Sequence, residues 1–197
     1  MPDTPKNKVK FGLKNVHYAT VTFDADGTPT YATPVAIPGA VNLSLSKSSE
    51  DAVFYADDGV YFEIGDNSAF DADLEIALIP QTFRTAVLGE TADNKGVLVE
   101  YAEQARTPFA LLFEFAADVN AVRHVLYNCT ASQDEISGQT KAGKIEVQTE
   151  KLKLHARPLP KDGKVKAKTG DEADATTYAG WYSTVYQTAA ANAQTNG

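Results

Sequence analysis

Between Asp66 and Glu75 the sequence holds four carboxylates, Asp66, Asp71, Asp73 and Glu75, in "DNSAFDADLE". Acids at that density can ligate a hard cation, work as an acid–base pair, or form a solvated charged row. A calcium loop of the helix–loop–helix kind needs oxygen donors at positions one, three and five, Gly at six and Glu at twelve. Counted from Asp66, position five is Phe70, six is Asp71 and twelve is Ala77, so that pattern fails. An irregular calcium site stays open as a rival. Acid–base work by two carboxylates needs a cleft that separates their pKa values, and nothing in the sequence marks one. His17, His124 and His155 stand far apart, with no H-x-x-x-H ligand pair. His124 in "AVRHVLY" reads as a strand residue with a satisfied ring nitrogen. Cys129 is the one cysteine; it reads as small core filling and excludes an internal disulfide or a thiolate metal cage. No glycine-rich phosphate loop, nucleophile elbow or dinucleotide fingerprint occurs, so no catalytic residue and no cofactor is assigned. Tyr178, Trp181, Tyr182 and Tyr186 could stack on a sugar or base, but helical spacing favours core packing.

The charges are distributed in blocks. Residues 48–83 carry nine acids and no Lys, Arg or His, a local −9 in a chain whose net charge is −8. Residues 141–168 carry nine basic and three acidic residues, His155 counted neutral. On one face the two blocks would neutralise each other; on opposite faces they would let copies dock head to tail, a contact that generates rings or filaments. The pI near 4.9 argues against a protein that grips nucleic acid. The 197 residues suffice for one sizeable core, and a 43% hydrophobic content is that of a globular chain. No apolar run approaches membrane-spanning length and "MPDTPKNKVK" lacks a signal-peptide core, so residence in the cytosol is expected.

These side chains must be positioned mainly by strands. Residues 16–23 and 30–35 flank a turn at Asp26-Gly27, and "VNLSLS" alternates with Val41, Leu43 and Leu45 inward. "VFYADDGVYFEI" reads as a hairpin around Asp58-Gly59. Next, Asp71, Asp73 and Glu75 share one strand face while Ala72, Leu74, Ile76 and Leu78 share the other. Asp66 reads as a loop residue. Pro80, Phe83, Val87 and Gly89 predict a short helix over 81–88. Phe109, Leu111, Phe113 and Phe115 form one strand face. Tyr178, Trp181, Tyr182 and Val185 predict an amphipathic helix over 176–187. The expected architecture is mainly β: two packed antiparallel sheets, a sandwich or partial barrel, with these two helices. One domain is expected over 9–187, with a flexible arm at 1–8 and a disordered tail at 188–197.

The ordered set "TPVAIPGAVNLSLS", "FYADDGVYFEI", "LEIALIPQTFRTAVLGE", "PFALLFEF", "RHVLYNCTAS" and "TYAGWYSTVY" resembles the major tail protein, or tail tube protein, of long-tailed non-contractile bacteriophages. The resemblance covers residues 8–186. It implies two packed sheets with a flanking helix, and hexameric rings stacked into a hollow tube. One sheet of each protomer would join a continuous barrel around a channel through which DNA passes during ejection. It implies a virion protein made in the host cytoplasm, with a tape-measure protein inside the tube and a tail-tip initiator and tail terminator at its ends. The immunoglobulin-like module that many relatives carry after the helix is expected to be absent. Asp71, Asp73 and Glu75 are then candidates for an acidic lumen face, repelling phosphates over about 8 Å. The competing expectation sends acidic loops at Glu50, Asp51 and Asp66 to Lys151, Lys153 and Arg157 of the next ring; the third is plain outer surface. Segments 46–51 and 132–144 and the N-terminal arm are candidates to order only on docking. Outside this family, the rivals are a carbohydrate- or calcium-binding β-sandwich module and a small hydrolase using the acidic cluster.

Overall fold

The structure is a computed structural model describing residues 7–56, 59–117, 119–133, 135, 136, 138 and 147–188, with side chains described for all of these except 49–68. The chain is mainly β, as the alternating segments predict. Strand β1 (Lys10–Phe23) is followed by β2 (Pro29–Tyr31), β3 (Val35–Ala36), β4 (Ala40–Ala56) and β5 (Gly59–Ile76). The later strands are β6 (Thr91–Ala92), β7 (Leu98–Val99), β8 (Phe109–Ala117), β9 (Val122–Ser132), β10 (Glu150–Ala156) and β11 (Lys166–Lys168). The two antiparallel sheets are unequal. The larger runs β2-β1-β8-β9-β10-β5-β4, with β3 also on β1 and β11 also on β9, while β6 and β7 pair separately. Because β1 and β4 touch across its ends, the large sheet curls into a partial barrel.

Alternation dictates what the barrel encloses. On β5, Phe70, Ala72, Leu74 and Ile76 are buried in the inner core while Asp71 and Asp73 are exposed. On β8, Phe109, Leu111 and Phe113 join that core, and Ala110 and Leu112 join a second one on the barrel's back. That strand is buried on both faces, which explains its unbroken apolar run. Cys129 lies fully buried in the inner core, and burial pushes its thiol up to about 12.

The predicted helix over 81–88 is present with a difference. A three-residue α1 (Gln81–Phe83) runs into a π-helical turn, Arg84–Leu88, closed by Gly89 at φ 85°. The wider turn brings both Val87 and Leu88 into the core beside Phe83. At Gly89 a side chain would need that positive φ and would place Cβ 2.6 Å from the Ala105 carbonyl oxygen, so only glycine fits. Arg84 ties the turn to the sheet through Glu90 (3.0 Å), Gln133 (2.8 Å) and Glu150 (2.8 Å).

The C-terminal helix is shorter than expected: α2 spans Ala175–Gly180, N-capped by Asp174, whose Oδ1 accepts from the Thr176 and Thr177 amides. Gly180 and the β-branched Thr184 and Val185 are poor helix formers. Trp181 and Val185 are buried all the same, because the segment lies against the barrel's back. Two other expectations fail locally. Leu78, placed in the core by alternation, is 72% exposed, since β5 ends at Ile76 and the chain bends so that Ile79 fills the site. Val41 is exposed because the β4–β5 ladder shifts register between Ala40 and Asn42. Segment 46–51 lies within β4. The predicted turn residue Asp58 and most of 134–146 lie outside the described residues. The expected N-terminal arm is pinned at Asn7, whose Nδ2 donates to the Asn120 carbonyl and whose Oδ1 accepts from the Val119 and Asn120 amides.

Candidate functional site

The acidic row of β5 has a basic row beside it. Cross-strand register places Lys151 opposite Glu75, Lys153 opposite Asp73 and His155 opposite Asp71. On the other side Asn42, Ser44 and Ser46 of β4 face the same three acids. Directly opposite side chains lie within about 5 Å at Cβ, so basic and acidic groups stand side by side across this face. His155 Nδ1 lies 2.6 Å from Asp71 Oδ1, and this contact holds the Asp71 carboxyl below the usual carboxylate range. Thr149 Oγ1 donates to Glu75 Oε1 at 2.6 Å. Asp71, Asp73, Arg106, Lys153 and His155 line a shallow concavity of about 350 Å³. The candidate lumen acids and two of the candidate stacking cations, Lys151 and Lys153, thus share one face and offset one another. Arg157 follows β10 and is exposed. Among the described residues no three His, Cys, Asp or Glu side chains come together as metal donors.

Glu50, Asp51 and Asp66 were expected in loops; their backbones are in a ladder instead, Glu50 paired with Asp66 and Asp51 with Gly65. Their side chains lie outside the described residues. They belong to an arm. β10 pairs with β5 only from Phe70 to Ile76, whereas the β4–β5 ladder continues from Ser48–Ala69 to Ala56–Gly59 with no third strand among the described residues. At about 3.3 Å per residue this two-stranded ribbon reaches roughly 30 Å beyond the barrel. A lone ribbon is marginal in water and leaves both its edges unpaired.

Sequence reasoning missed a polar cluster on the barrel's back. Glu114 is buried, and its Oε2 accepts from Arg123 Nε and Tyr182 OH, both at 3.1 Å. Its Oε1 accepts from Asn15 Nδ2 at 2.8 Å. Asn15 has φ 50° and sits where β1 breaks register, a left-handed position that Asn tolerates. The Arg123 guanidinium lies 3.8 Å from the Tyr178 ring centroid and donates to the Tyr178 carbonyl. Trp181 Nε1 donates to the His124 carbonyl. Residues 174–186 are therefore strapped to the sheet by polar contacts as well as by Trp181 and Val185. The signal was an acid in the middle of "FALLFEFAA" with Arg123 across the next hairpin.

A third feature rims the barrel where the arm leaves it. His124 stacks on Phe113, ring centroids 5.0 Å apart, and meets Phe115 edge-on. Lys10 lies over Phe115 at 4.9 Å and Lys166 over Phe70 at 4.3 Å. Burial, followed by the charges of Lys168, Lys166 and Lys10, pushes the His124 imidazole down to about 4. Unfolded, the ring regains its ordinary value near 6.5 and binds more protons than the native state between those limits. The stability it contributes is present above about pH 6.5 and is lost as pH falls towards 4. Urea titrations should show a lower midpoint at pH 5 than at pH 7.5, and His124→Gln should shrink that difference; an unchanged difference in the variant would contradict the assignment.

Neither a protein-family model nor a curated protein matches this chain.

Proposed function

We propose that this protein is the repeating subunit of a phage tail tube: hexameric rings, stacked into a hollow conduit through which DNA passes without specific binding. The reading rests on the ordered sequence resemblance and on one structural observation, the ribbon arm that leaves the barrel without a third strand among the described residues. Exposing a long paired ribbon makes sense in a subunit whose neighbours cover it. In this reading the β5–β10 face turns to the channel. Lysines opposite carboxylates are poor phosphate ligands, because counterion release on binding DNA is what rewards a free cation. A wall of mixed charge therefore neither holds the duplex nor strongly repels it. The tape-measure protein fills the channel before ejection, and the tip initiator and terminator bound the tube, as the resemblance implies.

The calcium-binding rival is weakened by the same register, since Lys151, Lys153 and His155 already face the acids a cation would need. Electron microscopy of the purified protein tests the proposal. Rings or tubes are expected, with Asp71, Asp73 and Glu75 on the inner wall of a reconstructed ring. Monomers at every concentration would overturn the tube reading, and those acids on the exterior would overturn the wall assignment alone.

A further inference from the structure

The arm and the rim carry opposite charge and stand at the same end of the molecule. Between residues 48 and 69 the arm has six acids, Glu50, Asp51, Asp57, Asp58, Glu63 and Asp66, and no basic residue. The rim is formed by lysines on three separate elements. Lys10 projects from β1, Lys47 from β4 as the cross-strand partner of Phe70, and Lys166 and Lys168 from β11, opposite Leu126 and His124. All four are exposed. Among the described residues none of the four meets a carboxylate in an ion pair, whereas Lys161 and Lys164 each do. Aromatic faces, not acids, support two of them.

Like charges gathered in one place repel one another, and among the described residues no carboxylate offsets these four. An incoming acidic segment would offset that repulsion, and the aromatic rings beneath would hold the ammonium groups in place as it docked. We infer that the lysine rim is the acceptor for the acidic β4–β5 arm of a second copy of this chain.

Geometry then fixes how the copies are arranged. Lys166 covers Phe70, and Phe70 is the residue at which the arm leaves the barrel. Donor and acceptor therefore occupy one end. Head-to-tail stacking brings opposite ends together and would carry the arm away from its neighbour's rim. Side-by-side copies present both at one level, so each arm leans across the rim of the next protomer. Repeated around an axis, this heterologous contact closes a ring. The inference rests on the tube reading and deepens it: the rim assigns the arm to contacts within a ring, where Lys151, Lys153 and Arg157 were expected to receive it between rings.

A mixing experiment tests the assignment. One variant reverses the rim (Lys166→Glu with Lys168→Glu), and another reverses the arm (Glu50→Lys, Glu63→Lys and Asp66→Lys). Each alone should assemble only above a concentration at least about a hundredfold higher than wild type, since like-charge juxtaposition at an interface is strongly penalised. An equimolar mixture should restore assembly, because each intact arm then meets an intact rim and each reversed arm a reversed rim. Circular dichroism melts unchanged from wild type establish that both variants fold. Wild-type-like assembly of the rim variant alone, or a mixture no better than its parts, overturns the rim as acceptor while wild-type rings leave the tube reading standing. Wild-type protein that never assembles overturns that reading, and this inference with it.

Discussion

A protein whose arm is cut back, with residue 48 joined to 69 through Asn-Gly, is expected to fold as a monomer and to form no tubes. The folding half follows from where the cores lie. Phe70 is the arm-side limit of the inner core on β5, and Leu43 and Leu45 anchor β4 well before the arm begins. Among the described residues the arm has no third strand to lose, and a two-stranded ribbon contributes little stability by itself, so unfolding free energy should change by about 1 kcal/mol or less. Asn-Gly supplies the positive φ angles that a two-residue hairpin turn requires. The assembly half follows from the acids: without them the lysine rim of each copy faces its neighbours uncompensated. Electron micrographs showing tubes of the shortened protein would remove the arm from the assembly mechanism. A shortened protein that fails to fold would show instead that the arm belongs to the core.

The second large effect is expected at Glu114. Glu114→Ala leaves the Arg123 guanidinium, which has little exposure, without its carboxylate, and also removes the acceptor for Tyr182 OH and Asn15 Nδ2. Breaking one partner of a buried ion pair costs about 3–5 kcal/mol, a large part of the 5–15 kcal/mol that holds a typical domain together. Urea denaturation should show that loss, and Trp181 emission should shift to the red as the strap leaves the sheet and the indole meets water. Glu114→Gln keeps an acceptor oxygen and should lose less. An Ala variant within about 1 kcal/mol of wild type would mean that Trp181 and Val185 alone hold the strap.

What could be foreseen divides along physical lines. Alternation on β5 and β8 was readable because side-chain direction in a strand is a local property, and Phe70 to Ile76 and Phe109 to Phe113 lie as their pattern requires. Gly89 was readable because left-handed helix termini select glycine. Leu78 was misplaced because periodicity does not say where a strand stops. The apolar spacing of Tyr178, Trp181 and Val185 picked out buried or half-buried positions but overstated the helix, since packing against the barrel needs no helix beyond Gly180. The pairing of acids with Lys151, Lys153 and His155 was out of reach. It depends on β10 choosing β5 as its neighbour, a non-local decision with no trace in either segment alone. The lysine rim was hidden for the same reason, being assembled from β1, β4 and β11.

The strand order also has a temporal meaning. Thr20 waits for Phe109 before its strand has a partner on that side, and Ile76 waits for Glu150. Long-range pairing of this kind makes barrel closure slow, so a nascent chain displays half-apolar strands for much of its synthesis. Ladders between consecutive strands escape this wait, and the β4–β5 ribbon is the longest of those described, so it can close on itself at once. The longest ladder able to form early is thus also the most negatively charged stretch of the chain. While the rest is still being made, those acids would keep sibling polypeptides on one messenger apart by mutual repulsion, before the same charges take up the docking role proposed for them in finished protomers.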